Sequence, residues 1–424
     1  MTEITAPLSD TCYIVAVRSP GTAAAEAETH LDELENLCAT LEYRVVGREI
    51  ITVNEPKPHL LVGSGQAGRI IGSAAETGAE IIVFDDDLSP RQQRNWEELC
   101  PLPVIDRREI ILDIFADHAS TKEASLQIEL ARLEYYLPRL KRAWTHLSRQ
   151  RGGKRGTRGE GEKQLELDRR MILRRVYTLR RELEAVAGHR ERTRKMRNRD
   201  GVITASLIGY TNAGKSSLLN ALTAAGVRTE DKLFATLDPT TRAVEKRVAG
   251  SGEFLLTDTV GFIRKLPHDL VEAFHSTLEE SKHSDILIHV VDASSPEAEA
   301  HIKTTEQVLA DLGILDKPRI TCFNKADALD GSSLREGLAA RHPGAVFVSA
   351  VTGEGLDLLL ERCGGLSAEF RSDARFVFPL TRFDLVAYLH RSGSVVTENY
   401  RDNSVEISAR VTPRTREILH DFVV

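Results

Sequence analysis

A chain of 424 residues is longer than one hydrophobic core usually supports, so two to four domains are expected. Its 41% hydrophobic and 28% charged residues are those of an ordinary soluble protein, and no apolar run approaches the roughly 20 residues that a membrane span needs. The net charge of −7 conceals an asymmetry: residues 139–199 hold 21 Lys and Arg against 7 Asp and Glu, which leaves about −21 on the remainder. A basic segment on an acidic protein points to a localised polyanion contact. The stretch Met1-Thr2-Glu3-Ile4-Thr5 lacks a basic region leading into an apolar core, so no secretory leader is expected. Cys12, Cys38, Cys100, Cys322 and Cys363 are scattered, without C-x-x-C spacing, and read as reduced, mostly buried thiols of a cytoplasmic protein.

Residues 1–120 alternate in type as an α/β domain with a partly parallel sheet does. Strands are predicted at Cys12–Val17, Arg44–Val53, His59–Val62 and Glu80–Phe84. Helices are predicted around Leu31, Leu34, Leu37 and Leu41, over Gln66–Thr77, and from a Ser89 cap to Leu99. Gly63-Ser64-Gly65 opens a helix after a strand, which suits a phosphate but equally a tight βα turn. Asp85-Asp86-Asp87 at a strand end could bind a metal; solvated carboxylates are the plainer account.

The period changes at Thr121. Leu126, Leu130, Leu133, Leu137, Leu140, Trp144 and Leu147 recur at steps of four and three, a seam that needs a partner helix. Leu165, Ile172, Val176, Leu179, Leu183 and Val186 offer one. Between them lies the Gly- and cation-rich stretch from Arg149 to Gly161, which carries Arg149, Arg151, Lys154, Arg155 and Arg158. Residues 121–199 therefore read as a helical hairpin with a flexible basic tip, its first arm broken or kinked at Pro138.

The strongest signal is Gly209-Tyr210-Thr211-Asn212-Ala213-Gly214-Lys215-Ser216, which fits G-x-x-x-x-G-K-[ST]. An apolar strand, Val202–Ile208, precedes it and the helical Ser217–Leu222 follows, the context that a phosphate loop requires. Two glycines let backbone N–H groups turn toward a β-phosphate at a helix N-terminus. Lys215 would reach the β- and γ-phosphates and the Ser216 hydroxyl would bind Mg²⁺.

Downstream, Leu233-Phe234-Ala235-Thr236-Leu237-Asp238-Pro239-Thr240-Thr241 is too irregular for core and suits a mobile loop whose Thr senses the γ-phosphate through Mg²⁺. Spacing does not choose among Thr236, Thr240 and Thr241. A strand, Glu253–Thr257, ends in Asp258-Thr259-Val260-Gly261; Asp258 would hold Mg²⁺ through water and the Gly261 N–H would meet the γ-phosphate. Another strand, Arg319–Phe323, ends in Asn324-Lys325-Ala326-Asp327. The Asp327 carboxylate can accept from guanine N1–H and its exocyclic amine, which adenine cannot supply. Asn324 would bond the purine edge, the Lys325 stem would cover the ring, and Ser349-Ala350 would lie against the guanine oxygen. Four elements in this order point to GTP.

Phe262 stands where many GTPases carry a water-orienting Gln, so slow intrinsic hydrolysis is expected. His268 and His275 lie nearby but suit exposed helix positions. Residues 371–424 read as a small α/β appendix, with strands at Phe376–Phe378, Ser394–Asn399 and Ser404–Ala409 and helices at Arg382–His390 and Pro413–Phe422. No catalytic grouping occurs there, and an interaction role is expected.

Gly209–Ser216, Phe234–Thr240 and Asp258–Phe262 together closely resemble the HflX family of translational GTPases. The likeness extends to Phe84–Pro90 and Leu165–Arg170, nearly the whole chain. It implies a multidomain α/β fold: an N-terminal α/β domain (1–120), a helical hairpin (121–199), a P-loop GTPase domain (200–370) and a small C-terminal α/β domain (371–424). It implies that Thr236 joins Ser216 on Mg²⁺, that Lys215, Thr236 and Gly261 serve catalysis, and that the Phe234–Asp238 loop touches GTP. It further implies a cytoplasmic monomer, not inserted in a membrane, that binds the large ribosomal subunit and splits stalled or idle ribosomes. Two departures stand out. Gly159-Glu160-Gly161-Glu162-Lys163-Gln164 replaces a common Gly-Pro-Gly-Glu-Thr-Gln, and Ser64 and Gln66 stand where lysines are common. The competing class is a regulatory GTP switch on a protein or anionic membrane. The basic segment has no apolar face left for a bilayer, because its heptad positions are used internally.

Overall fold

The structure, a computed structural model, describes residues 11–140, 158–198, 203–223, 233–234, 239–244, 254–265, 280–329, 332–369, 372–392, 394–401, 403–411 and 413–424. These fall into two compact units that divide near Leu183.

In the first unit, β1 (Thr11–Arg18), β2 (Arg44–Thr52), β3 (Ile81–Phe84) and β4 (Val104–Asp106) form a sheet in the order β2-β1-β3-β4. Every pairing is parallel, more than the sequence suggested. The connecting helices are α1 (Ala24–Thr40), α2 (Ser64–Glu76), α3 (Pro90–Leu99) and α4 (Arg107–His118). Ser89 caps α3 as expected, its hydroxyl accepting from the Gln92 N–H while the Gln92 side chain accepts from the Ser89 N–H. The predicted strand at His59–Val62 is instead a turn closed between Lys57 and Leu61. Pro56 and Pro58 flank Lys57 and cannot donate to a ladder.

Helix α4 was not foreseen. Ile110, Ile111, Leu112, Ile114 and Phe115 are all buried, so the helix is apolar around most of its girth and leaves no one-faced pattern to read. Its start also corrects the reading of the aspartates. Asp85 is buried rather than solvated and is paired with Arg107 at 2.8 Å, and Arg107 also holds Glu33 of α1 at 2.6 Å. Asp86 accepts from the Val17 N–H at 2.9 Å. These carboxylates are spent on stitching strand ends to helices. The Gly63 turn is used locally too: its N–H donates to Gln66 Oε1, and the Gln66 amide donates to the Thr52 carbonyl.

Helix α5 (Lys122–Tyr136) ends in a tight turn, Leu137–Arg139, which holds Pro138. Its most buried stripe, Ala124, Ile128, Ala131 and Tyr135, is not the leucine seam; Tyr135 reaches α4, its hydroxyl donating to Asp106 and Glu109. Burial raises the Asp106 carboxyl to about 6. Helix α6 (Arg158–Asn198) covers the predicted face: Val176 and Leu179 are buried and Ile172, Leu183 and Val186 half-buried. Arg175 grips Glu129 of α5 through two bonds, and Arg180 holds Glu134. The stretch 141–157, with Arg149, Arg151, Lys154 and Arg155, lies outside the described residues, as does the Arg158 side chain.

In the second unit, β5 (Ile203–Ile208), β6 (Thr240–Ala243), β7 (Phe254–Asp258), β8 (Ile286–Asp292), β9 (Arg319–Asn324) and β10 (Val346–Phe347) form a sheet in the order β10-β9-β8-β5-β7-β6. All neighbours are parallel except β6 with β7. Helices α7 (Lys215–Leu222), α8 (Ala298–Asp311), α9 (Ser332–Arg341) and α10 (Leu356–Glu369) accompany it. The C-terminal strands β11 (Ser372–Pro379), β12 (Ser394–Arg401) and β13 (Ser404–Val411) form a separate antiparallel sheet, β11-β13-β12, with α11 (Phe383–Ser392) and α12 (Pro413–Ile418). Phe376, Phe378, Val405 and Ile407 alternate inward and build its core.

Arg107 sits between two carboxylates with almost no water, so removing it strands buried negative charge. Arg107→Met should destabilise the first unit by about 3–5 kcal/mol, read as faster hydrogen exchange in the β1 and β3 amides of the full-length protein. Unchanged exchange there would mean that the pair carries no weight.

Candidate nucleotide-binding site

Strands β5, β7, β8 and β9 run the same way, so the loops that leave their C-terminal ends gather along one sheet edge. The Gly209–Ser216, Asp258–Gly261 and Asn324–Asp327 motifs leave from that edge.

The loop after β5 is shaped by glycine. Gly209 has φ +146°, and a Cβ there would collide with the Val290 carbonyl oxygen. Gly214 has φ +85°, and a Cβ there would strike the Asn324 amide. Asn212 takes the left-handed conformation at the exposed turn, while Ala213 is buried. Lys215 opens α7 and folds back under the loop, its Nζ donating to the carbonyls of Gly209 at 3.0 Å and Tyr210 at 2.8 Å. The ammonium is buried, and loss of water pulls its pKa down to about 8, with the Asp258 charge opposing. The Thr211 hydroxyl is buried with no hydrogen-bond partner among the described residues.

At the end of β7, Asp258 Oδ2 accepts from the Ser216 hydroxyl at 2.6 Å. Thr259 donates its hydroxyl to the Leu207 carbonyl at 2.6 Å, and Val260 is buried beside it. A Cβ on Gly261 would lie 2.8 Å from Thr211 Cα and 2.9 Å from Lys215 Nζ, so only glycine lets this backbone come so near the ammonium. The ring of Phe262 is fully buried, a core residue with no polar group to turn on water.

Phe234 is buried with φ +59°; Ala235, Thr236, Leu237 and Asp238 lie outside the described residues, as do His268 and His275. Thr240 and Thr241 belong to strand β6 rather than to an irregular loop. Thr240 lies opposite Asp258, and the Thr241 hydroxyl bonds that of Thr257 at 2.9 Å. Their run of β-branched residues suits an edge strand, and that pairing ties up the Thr241 hydroxyl.

The base end is also partly redrawn. The Asn324 amide is committed at both ends, donating to the Ala213 carbonyl at 2.9 Å and accepting from the Ala350 N–H at 3.1 Å. It therefore braces the phosphate loop against the Ser349-Ala350 loop, and its Nδ2 keeps a second hydrogen for a purine edge. Lys325 stands at φ +60° with its Nζ on Asp292 at 2.7 Å. Ala326 is buried, its N–H donating to the Val348 carbonyl, and Asp327, three residues past the end of β9, is exposed. Ser349 is fully buried, its hydroxyl accepting from the N–H groups of Val351 and Thr352. The bracing role of Asn324 carried no sequence signal beyond its place in the tetrad.

The donor set suits a polyphosphate: a buried ammonium, a helix start and a glycine-shaped loop. A hard cation fits at Ser216 and Asp258, a hydroxyl and a carboxylate within contact of each other. No cluster of three or more His, Cys, Asp or Glu occurs among the described residues, so phosphate oxygens would have to complete the shell, as Mg²⁺ sites usually arrange. No described helix is long and apolar enough to cross a membrane.

Residues 28–116 match the family described as GTP-binding GTPase N-terminal, residues 118–197 the GTP-binding GTPase Middle Region, and residues 204–325 the 50S ribosome-binding GTPase family. GTPase HflX of Spirochaeta thermophila is 50% identical over 335 residues, 79% of this chain and 81% of that one. GTPase HflX of Akkermansia muciniphila is 46% identical over 407 residues, 93% of each chain. The Escherichia coli GTPase HflX is 44% identical over 334 residues, 78% of this chain and 77% of its own. A GTP-binding protein from the archaeon Sulfolobus solfataricus, solved with GDP, is 26% identical with a TM-score of 0.43, covering 85% of this chain and 99% of that one. With relatives 44–50% identical over 77–93% of their lengths, the chain belongs to the HflX family of GTPases.

Proposed function

We propose that this GTPase takes up GTP or GDP with Mg²⁺ at the sheet edge, docks on the large ribosomal subunit, and separates stalled or idle ribosomes. The observation that carries the nucleotide reading is the buried Lys215 ammonium beside the Ser216–Asp258 couple, with the exposed Asp327 following β9 at the same sheet edge. In this reading the backbone from Gly209 to Ser216 cradles the phosphates and Gly261 N–H reads the γ-phosphate. Asp327 takes the guanine N1 and amine protons, Lys325 covers the ring, and Ala326, Ser349 and Ala350 shape its wall. Bound Mg²⁺ would supply positive charge against the phosphates, and Ser216, Thr236 and Asp258 are the residues that would hold it. The family resemblance adds Phe234, Ala235, Leu237, Asp238, Thr259 and Val260 to the residues that would touch the nucleotide. Nothing polar at Phe262 orients water, so hydrolysis is slow until the ribosome orders the loops.

The ribosomal reading is supported by the 50S-binding family match over residues 204–325 and by the basic stretch 139–199. The working division is 1–120, 121–199, 200–370 and 371–424, in a cytoplasmic monomer whose hairpin acts as the wedge in rRNA.

Asp327→Asn should weaken GTP binding on the order of 10²-fold, since an acceptor becomes partly a donor, and should gain xanthosine triphosphate binding. A variant that still prefers GTP in competition titrations would remove Asp327 from the base pocket.

The wedge is tested by replacing Arg149, Arg151, Lys154, Arg155 and Arg158 with Ser. Co-sedimentation with large subunits should fall, and the salt slope of binding should flatten by roughly 0.7–0.9 per cation lost. Intrinsic GTP hydrolysis should be retained. Undiminished subunit binding, or wild-type protein that binds anionic vesicles but not subunits, would contradict the wedge.

A further inference from the structure

We propose that the Tyr210 side chain is a positioning residue for the GTPase reaction: it clamps the loop after β7 onto the phosphate loop and so holds Gly261 facing the γ-phosphate position. The inference rests on the guanine-nucleotide reading above and adds a coupling that the motif itself does not contain.

The two loops meet as a short parallel bridge between Tyr210 and Phe262. The Thr211 N–H donates to the Phe262 carbonyl at 2.7 Å, and the Phe262 N–H donates to the Gly209 carbonyl at 3.0 Å. Backbone contact ends there, and the Tyr210 side chain continues it. Its phenol oxygen accepts from the Arg264 N–H at 2.8 Å, two residues beyond Phe262. One residue thus grips the neighbouring loop twice, once through its backbone and once through its side chain.

The ring is anchored from the other side. It stacks on the His301 imidazole of α8, with centroids 3.9 Å apart and planes 13° apart, and His301 lies 3.8 Å from Glu297 one turn earlier. Tyr210 is 7% exposed and Phe262 and Ile263 are fully buried, so neither loop can shift without disturbing its partner. Gly261 sits inside this grip with no slack, as the Thr211 and Lys215 contacts of a hypothetical Cβ show. A γ-phosphate contact is worth more when its N–H is already held where the phosphate arrives. With the stack fixing the ring to α8 and the phenol fixing Arg264, the Gly261 amide is held between two anchors. GDP has no γ-phosphate and gains nothing from that hold.

Tyr210→Phe tests this in the full-length protein, since it keeps the ring and its stack but removes the acceptor. One neutral hydrogen bond is worth about three- to tenfold. The ratio of affinities for a nonhydrolysable GTP analogue and for GDP should fall by that factor, and kcat for GTP should fall with it. His301→Leu, which removes the stack and keeps the phenol, should move the ratio in the same direction by less. An unchanged ratio in Tyr210→Phe, or equal weakening of both nucleotides, would overturn the clamp and leave the nucleotide site standing. Wild-type protein that binds neither nucleotide would overturn the underlying reading as well.

Discussion

A lysine ammonium almost without water sets the terms for the nucleotide unit. Burial of the Lys215 side chain disfavours its charge, and the compensation among the described residues is two backbone carbonyls and the field of Asp258. Carbonyl dipoles offset only part of that cost, and a phosphate's negative charge would offset far more. The surroundings hold the lysine in that position. Gly209 and Gly214 take conformations that other residues avoid, and Gly261 approaches where a side chain would collide. The Asn324 amide straps the loop from across the sheet. A large share of the local sequence is thus explained by keeping one charge buried at one place.

The sheet supplies the rest. Because β5, β7, β8 and β9 are parallel, each ends at the same edge, and each contributes one loop to the site. Coupling between loops is then a matter of short-range hydrogen bonds. Phosphate loop and Gly261 loop share a bridge, phosphate loop and base loop share Asn324, and Lys325 returns to Asp292 at the end of β8. A change felt at the phosphates has direct routes to both neighbours without passing through the core.

Much of this was legible in the sequence because phosphate chemistry demands particular residues at fixed spacing. Gly209–Ser216 and Asp258–Gly261 fell where strand ends were predicted. The misreadings have physical causes. The bracing role of Asn324 escaped because the two backbone groups it bonds, on Ala213 and Ala350, are distant in sequence. Asp85 was read as solvated because its partner, Arg107, is distant in sequence and reaches it only through the β4–α4 junction. Helix α4 escaped because burial on most sides erases amphipathic periodicity. Thr240 and Thr241 sit beside an irregular stretch, and only pairing with β7 identifies them as a strand.

The most direct test of the account is the pH dependence of nucleotide affinity. The free Lys215 ammonium titrates near 8, while phosphate binding requires the charged form. GDP affinity at fixed Mg²⁺ should therefore change little up to about pH 7.5 and weaken on the order of tenfold by pH 9. Lys215→Arg, which cannot lose its charge in this range, should show no such decline in whatever affinity it retains. A flat wild-type profile through pH 9 would contradict a buried, phosphate-seeking ammonium as the centre of the site.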